Sequence, residues 1–321
     1  MNDTTTPARM RAVRAETAGG PEVLRVVGTD RPAPGIGEVL VRVRAAGVNP
    51  VDWKTRQRGW FYSGEQAPFV LGYDVSGVVE AVGDGVTLYA PGDEVYGMPR
   101  FPHPAGAYAE YVTAPTRHFA PKPRGLDHTR AAALPLAALT AWQALVDTAG
   151  VREGQRVLIH AAAGGVGHLA VQIAKARGAY VIGTASAAKH DFLRGLGADE
   201  LIDYRERDFA DAVRDVDVVL EAIGGDYPRR SLRTLRPGGF LAALLTLDPE
   251  VQTAAREQGV RAARVVVEPD LAGLKAIGEL VESGRLHTEI AAVLPLEDAA
   301  KAHELGESGR TQGKIVLTVG E

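Results

Sequence analysis

A tyrosine and an aspartate interrupt an otherwise apolar, strand-like stretch, PFVLGYDVSGVVEAVGDGV, at residues 68–86. The phenol of Tyr73 and the carboxylate of Asp74 have two interpretations. They could belong to a reactive site, such as a metal site, or they could be buried polar groups that the fold satisfies with ordinary hydrogen bonds. The choice between these interpretations decides which chemistry the chain can perform.

A metal site at these residues is disfavoured by the ligands that the chain offers. The sequence has no cysteine, which excludes thiolate ligands, thiolate nucleophiles and iron–sulfur clusters. Its eight histidines are scattered, with no pair four residues apart and no carboxylates clustered around them. A tyrosine and a single aspartate are a poor donor set for zinc. The sequence therefore predicts that no metal is bound.

A glycine-rich turn follows the apolar segment Val157–Ile159, in the sequence RVLIHAAAGGVGHLAVQIAKARGA. The small residues Ala161, Gly164 and Gly167 allow a tight turn into a helix with one apolar face. Free N–H groups and the dipole at the start of a helix favour a pyrophosphate. Because the turn lies between a strand and a helix in an alternating series, it favours a dinucleotide site over a turn that only packs helix on sheet.

The second strand of that series ends in VIGTASAAKHD, without the acidic residue that usually holds the ribose 2′-OH of NAD. Ser186 and Lys189 instead offer a hydroxyl and a cation, which suit the 2′-phosphate of NADP. Ser186 could also be only a helix N-cap, and Lys189 only a solvated surface residue. These roles are compatible with phosphate binding, and we predict NADPH as the cofactor.

The spacing of apolar residues predicts an α/β protein with two domains. Residues 1–123 contain short, alternating or β-branched segments separated by Gly, Pro and Asp, which is typical of a β-barrel or sandwich. In residues 124–266, after a helical segment that Pro135 kinks or splits, strands and helices alternate as in a doubly wound parallel sheet. Residues 267–321 are predicted to return to the first domain, where the last strand, GKIVLTV, would join the sheet.

Composition limits the partners of the chain. Hydrophobic residues make up 45% and charged residues 24%, as in globular proteins. The net charge of -4 argues against nucleic acid or an anionic membrane as a partner. No apolar run is long enough for a membrane span, and the first residues lack the apolar core of a secretory signal. We expect a cytoplasmic protein whose partner is a small molecule.

The chain resembles the medium-chain dehydrogenase/reductase superfamily along nearly its whole length. The matching motifs are AAGVNPVDWK (45–54), PFVLGYDVSGVVEAVG (68–83), PGDEVYG (91–97), ALTAWQAL (138–145), AAAGGVG (161–167) and GRTQGKIVLTV (309–319). Their order and spacing are similar to the zinc-free quinone oxidoreductase branch. The resemblance implies a GroES-like β-barrel catalytic domain and a Rossmann domain.

The resemblance also explains the polar pair. In the zinc alcohol dehydrogenases, the segment that matches residues 72–74 reads Gly-His-Glu, and a cysteine precedes it near position 49. This chain has Tyr73, Asp74 and Asn49 at those positions, which implies that the catalytic metal site has been lost. Asp74 is then expected to form structural hydrogen bonds or an ion pair.

The activity that the resemblance implies is NADPH-dependent, metal-free hydride transfer to quinones or to the C=C bond of α,β-unsaturated carbonyl compounds. Without a Lewis acid, the reaction suits acceptors that are already electrophilic. The alternatives are a pathway-specific enoyl reductase acting on a biosynthetic intermediate and a non-catalytic NADPH-binding sensor or structural protein. Because the family commonly forms dimers through the edge of the Rossmann sheet, a homodimer is expected.

Several residues are expected to contact the cofactor, from the resemblance and from their places at strand ends. They are Asn49, Thr140, Gly164, Gly165, Val166, Gly167, Ser186, Lys189, Tyr204, Ile223, Gly224, Leu244, Leu245 and Lys314. For Ile223, Leu244 and Leu245, packing in the core is the more ordinary role of the side chain.

The candidate catalytic residues are Asn49, Lys54, Tyr62 and Tyr73. Asn49 precedes a proline and stands three residues before an aspartate, so helix capping explains it as well as contact with the nicotinamide. Lys54 could stabilise an enolate or could be an ordinary solvated lysine. Tyr62 could border the pocket or cover the barrel, and Tyr73 could line the pocket.

Overall fold

A computed structural model describes residues 8–59 and 67–320 of the chain. Contacts divide it into two compact units. The first combines the described residues up to Leu136 with Glu268–Gly278 and with the described residues from Ile290 onward; the second combines Ala137–Val267 with Glu279–Glu289. The order of segments matches the predicted domains, although residues 124–136 group with the first unit and residues 279–289 with the second.

The first unit is built mainly from antiparallel strands. Its strands are β1 (Arg9–Ala15), β2 (Leu24–Asp30), β3 (Glu38–Val48), β4 (Phe69–Val70), β5 (Asp74–Val82), β6 (Glu94–Gly97), β7 (Tyr111–Pro115), β8 (Phe119–Pro121), β15 (Ile290–Pro295) and β16 (Lys314–Thr318). Among the described residues, β15-β16-β3-β5-β6-β8 form one sheet, with β7 also paired to β3, and β2-β1-β4 form another. The last strand, β16, pairs antiparallel with β3, which confirms the predicted return of the chain.

The strand-like run at residues 68–83 is divided in two by Gly72. This glycine has a φ of 94°, a conformation that L side chains rarely adopt. A Cβ at Gly72 would lie 2.4 Å from the ring of Tyr108, so close packing also requires glycine here. The division makes Asp74 the first residue of β5, opposite Gly47 on β3.

The second unit contains the predicted doubly wound parallel sheet. Its strands are β9 (Arg156–Ile159), β10 (Tyr180–Ala185), β11 (Glu200–Asp203), β12 (Val216–Glu221), β13 (Leu235–Ala243) and β14 (Arg261–Arg264). In the described part of the chain, their order is β11-β10-β9-β12-β13-β14, and all pairs are parallel. This is the strand order of the dinucleotide-binding fold, and it reverses direction between β9 and β12. Leu158, Ile182 and Val219 are fully buried in its core.

Both units also contain helices. They are α1 (Pro50–Arg58), α2 (His128–Ala132), α3 (Pro135–Trp142), α4 (Gly167–Ala176), α5 (His190–Gly195), α6 (Phe209–Ala212), α7 (Tyr227–Leu232), α8 (Pro249–Glu257), α9 (Leu271–Glu282) and α10 (Ala299–Glu307). Pro135 begins α3 and so splits the predicted helical segment, because proline is tolerated in the first turn of a helix but not in its interior. No helix in the ranges 8–59 and 67–320 has the length and apolar character needed to cross a bilayer.

Candidate active site

Asp74 is the centre of a buried polar cluster in the first unit. Its side chain is fully buried. Oδ1 accepts a hydrogen bond of 2.7 Å from Leu136 N, and Oδ2 accepts one of 2.8 Å from Asn49 Nδ2. Nζ of Lys314 lies 3.6 Å from Oδ2. The expected structural hydrogen bonds and ion pair of Asp74 are therefore confirmed.

Gly47 makes room for this carboxylate. A Cβ at Gly47 would lie 2.8 Å from Asp74 Oδ2 and 2.4 Å from Ala132 O. Real Cβ atoms do not approach backbone oxygens that closely, so any side chain at position 47 would displace the cluster. The glycine of the AAGVNP motif is thus explained by the acid that lies against it.

Lys314 begins β16 and is 3% exposed. Its Nζ donates to Val48 O at 3.1 Å and to Asn49 Oδ1. Burial lowers the pKa of Lys314, and the charge of Asp74 opposes that shift. Burial likewise raises the pKa of Asp74, and Lys314 opposes it. The ion pair offsets the cost of burying each charge alone.

Asn49 connects the two charges. It is 1% exposed, and its amide donates to Asp74 and accepts from Lys314. It also occupies the N-cap position of α1, as predicted, but its side chain has these partners beyond the helix. Capping alone is therefore an incomplete explanation for an asparagine at this position.

Asp52 lies in the first turn of α1, and its sequence position indicates only an acid near the N-terminus of a helix. It is fully buried, and its Oδ2 accepts from Asn49 N at 2.8 Å and from Tyr108 Oη at 3.0 Å. Its Oδ1 has no hydrogen-bond partner among the described residues. Burial raises the pKa of Asp52 to about 7, against the effect of the hydrogen bonds from Asn49 N and Tyr108.

A line of polar side chains continues from Tyr108 to α10. Tyr108 Oη lies 3.2 Å from His303 Nε2, and His303 Nδ1 lies 3.0 Å from Nη1 of Arg56. Arg56 is itself fully buried and forms an ion pair of 2.5 Å with Glu307. The motifs do not indicate this network, because its members are widely separated in sequence.

Two of the other candidates, Lys54 and Tyr73, lie in the described residues. Lys54 is half-buried on α1, where burial and then Arg58 lower its pKa, and no hydrogen bond or ion pair links it to the described part of the cluster. Tyr73 is 1% exposed and packs edge-to-face on Phe101, with ring centroids 4.8 Å apart. Tyr62 lies outside the described residues. Roles of these side chains in catalysis stay predictions.

The glycine-rich turn of the second unit lies at the carboxyl end of β9, where the order of strands reverses. Ala161 has a φ of 49°, and its carbonyl accepts from Gly164 N at 2.9 Å, which closes the turn. A Cβ at Gly167 would lie 2.3 Å from the same carbonyl oxygen, so α4 can begin here only with glycine. The partly exposed residues Gly164–Val166 offer backbone to a ligand at the start of a helix. These residues fit a dinucleotide pyrophosphate.

Ser186, Lys189 and Tyr204 come together at the ends of two neighbouring strands. Ala185 on β10 is opposite Asp203 on β11. Ser186 and Tyr204 follow these two residues directly, and Lys189 ends the 3-10 turn that begins after Ser186. Ser186 occupies the N-cap position, as the alternative predicts, although its hydroxyl makes no capping hydrogen bond. Asp203 takes that role by accepting from Ala187 N at 2.9 Å.

Predicted contacts also meet at the ends of β12 and β13. Ile223 is 40% exposed, so packing in the core is the wrong explanation for its side chain. Leu244 and Leu245 are partly exposed. Gly224 is buried beside them, and Thr140 on α3 is 7% exposed. Apolar side chains left open at the carboxyl edge of a parallel sheet are typical of a ligand surface.

Glu221, which the sequence analysis did not single out, ends β12 and is fully buried. Its Oε1 accepts from Ile223 N at 2.6 Å and from Gly224 N at 2.7 Å. Burial raises the pKa of Glu221, against the effect of these hydrogen bonds. This acid holds the turn that carries the predicted cofactor contacts.

Known proteins resemble this chain over most of its length. Residues 35–124 match the alcohol dehydrogenase GroES-like domain family, and residues 196–317 match the zinc-binding dehydrogenase family. The structure of a quinone oxidoreductase from Coxiella burnetii has 39% identity and a TM-score of 0.91, covering 98% of this chain and 100% of that one. A 2-haloacrylate reductase of Burkholderia sp is 37% identical over 314 residues, which is 89% of this chain and 92% of the other. A mycobacterial structure complexed with NADPH has 33% identity and a TM-score of 0.85, covering 96% and 99%.

A GroES-like domain, together with a Rossmann sheet that has a glycine-rich turn at the carboxyl end of its first strand, defines an oxidoreductase of the medium-chain dehydrogenase/reductase superfamily. The chain belongs to the quinone oxidoreductase family within that superfamily. It is an enzyme that binds a nicotinamide adenine dinucleotide. The predicted fold class and the family resemblance are confirmed.

Proposed function

We propose that this enzyme is an NADPH-dependent reductase that transfers hydride, without a metal, to quinones or to the C=C bond of α,β-unsaturated carbonyl compounds. The observation that carries the proposal is that Asp74 already has hydrogen bonds and an ion pair with other groups of the protein. Both of its carboxylate oxygens are held, by Leu136 N, Asn49 and Lys314, in a fully buried cluster. A metal ion at this position would have to displace a lysine that already neutralises the acid.

The proposed substrate class follows from the proposal that no metal serves as a Lewis acid. Hydride addition to an unactivated carbonyl needs the oxygen to be polarised, whereas quinones and conjugated C=C bonds are already electrophilic. Two relatives support this class by name, since one is a quinone oxidoreductase and the other reduces a 2-haloacrylate, whose C=C bond is conjugated to a carboxylate. The bound cofactor would supply the hydride, and the protein residues would hold the acceptor and exclude water.

NADPH is proposed over NADH because the end of β10 carries Ser186 and Lys189 and lacks the acid that NAD-specific folds place there. The mycobacterial relative that was solved with NADPH supports this choice. The proposed cofactor residues are the predicted contacts of the second unit, together with Asn49 and Lys314 of the first unit. The domain boundaries 1–123, 124–266 and 267–321 and the cytoplasmic location also stay proposals.

A homodimer is proposed from the family and from the second sheet. In the described part of that sheet, β14 pairs with β13 on one side and forms the edge. An unpaired parallel edge can extend across a two-fold axis into a second copy. Light scattering on the protein as it elutes from a size-exclusion column should give the mass of two chains.

The activity test follows the absorbance of NADPH with a panel of quinones, enones and enals, before and after treatment with a chelator. Turnover that survives the chelator, with no stoichiometric zinc by mass spectrometry, supports the proposal. Turnover on a single biosynthetic enoyl compound would favour the pathway-specific reductase. NADPH binding with turnover on none would favour a non-catalytic protein, and zinc-dependent alcohol oxidation would contradict the proposal.

A further inference from the structure

We propose that Arg205 is a second cation for the 2′-phosphate of NADPH and that it acts together with Lys189 to select this cofactor. The inference rests on the proposed preference for NADPH. Arg205 was not among the residues indicated by the sequence, because it follows the third strand, whereas the usual selectivity position follows the second. The structure brings these two strand ends side by side.

The two segments are joined through Asp203. Its Oδ2 accepts from Ala187 N at 2.9 Å, and its Oδ1 accepts from Arg205 N at 2.9 Å. One carboxylate therefore holds the backbone next to Ser186 and the backbone of Arg205. Since both hydrogen bonds favour the charged form, they lower the pKa of Asp203 and keep it ionised near neutral pH.

The guanidinium of Arg205 lies 5.8 Å from the centre of the Tyr204 ring. Tyr204 is 47% exposed and Arg205 is exposed beside it, so the pair presents an aromatic ring and a cation on the same surface. No carboxylate in the described part of the chain forms an ion pair with Arg205, and Asp203 uses both oxygens on backbone N–H groups. Arg205 therefore has charge and donors available for a ligand.

The positive charge of Arg205 also acts on Lys189. Its pKa is lowered by partial burial and then by the positive charge of Arg205. Two cations that repel each other are stabilised by an anion placed between them, and a phosphate monoester carries close to two negative charges. The neutral 2′-hydroxyl of NADH offers no such gain. The arrangement thus discriminates between the two cofactors through charge, whereas contacts with the shared adenosine do not.

The test compares dissociation constants of NADPH and NADH in wild type, Arg205→Ala and Lys189→Ala. Removing Arg205 should weaken NADPH binding by about tenfold and leave NADH binding nearly unchanged. Arg205→Lys should keep part of the preference, since it keeps the charge but loses the planar fork. Arg207→Ala is the matched control, because Arg207 is an exposed arginine two residues further on whose substitution should change neither constant.

A second measurement, which also requires no turnover, compares how tightly 2′,5′-ADP and 5′-AMP each compete with NADPH for the site. The ratio of the affinity for 2′,5′-ADP to that for 5′-AMP should fall by the same factor in Arg205→Ala. This loss should be larger at low salt than at high salt. If wild type prefers NADPH and Arg205→Ala keeps the full preference, the role of Arg205 is refuted while the NADPH proposal stands. If wild type binds NADH as tightly as NADPH, both are refuted.

Discussion

Tyr108 donates a hydrogen bond to Asp52 across 3.0 Å, and the direction of that bond is set at the far end of the network. Arg56 can only donate, so Nδ1 of His303 accepts from it. Burial and the charge of Arg56 lower the pKa of His303 to about 3, so the ring is neutral and carries its proton on Nε2. His303 therefore donates to the Tyr108 oxygen, which leaves the hydroxyl proton for Asp52.

Asp52 should make stability fall with pH. An unfolded aspartate has a pKa of about 3.9, whereas burial raises that of Asp52 to about 7. Between these values the folded chain binds a proton that the unfolded chain does not, so this contribution is complete at low pH and is lost as pH rises through about 7. Urea unfolding should show the free-energy difference between wild type and Asp52→Asn declining by a few kcal/mol from about pH 4 to about pH 8.

Asp74 and Lys314 are titratable groups close to Asp52. Because both are present in wild type and in Asp52→Asn, their contributions to the pH dependence of stability largely cancel in the difference. Asn keeps an oxygen that can accept from Asn49 N and Tyr108. Parallel pH curves for wild type and Asp52→Asn would show that Asp52 is ionised throughout and would contradict the raised pKa.

Removing Lys314 should expose the cost of burying Asp74. Lys314→Met leaves a buried carboxylate without its cation and should lower the free energy of unfolding by about 3–5 kcal/mol. The double variant with Asp74→Asn should recover part of this loss, which a double-mutant cycle measures. Lys301→Met is the control, since Lys301 and Asp298 form an exposed ion pair of 3.5 Å that should contribute less than about 1 kcal/mol. Additive losses at the buried pair would argue against coupling.

Asn49→Ala should separate structure from catalysis. The variant loses the side-chain bonds to Asp74 and Lys314, so a stability loss of about 1–3 kcal/mol is expected. If Asn49 also contacts the nicotinamide, kcat/KM per folded enzyme should fall at least about tenfold. Unchanged turnover with reduced stability would leave Asn49 only a structural role.

Gly167→Ala should damage the nucleotide site. The added Cβ would lie 2.3 Å from Ala161 O, so the turn must open, and NADPH affinity should fall more than about tenfold. Gly195→Ala is a matched control, because a Cβ there meets nothing within 4 Å and the residue ends α5. That control should bind NADPH normally and gain up to about 1 kcal/mol in stability. Equal affinities in the two variants, by fluorescence titration, would remove the steric argument.

Features set by local pattern were predictable from the sequence. The alternation of strands and helices, the turn before α4 and the return strand β16 follow from periodicity and from glycine placement, which act over a few residues. The apolar segment around Asp74 left a reactive site and ordinary hydrogen bonds both open, and the family resemblance then favoured structural partners. Lys314 could not be identified as its partner, since only the pairing of β16 with β3 brings it there.

The missed residues depend on tertiary contacts. Asp52 looked like an ordinary helix-start acid, and its raised pKa arises from burial that no motif indicates. Arg205 and Lys189 follow different strands, and their proximity comes from the parallel register of β10 and β11. The type of Ile223 favoured core packing over its predicted contact with the cofactor, but its position just beyond the end of β12 leaves it 40% exposed.

The position of Lys314 in the last strand has a consequence for the order of synthesis. A ribosome makes Asn49 and Asp74 early, and then the whole segment 137–267, before it makes β16. Until then, the nascent chain has Asp74 without its cation and β3 without one of its neighbours. The unit whose sequence comes first is therefore the unit that is completed last, and the emergence of Lys314 marks that completion.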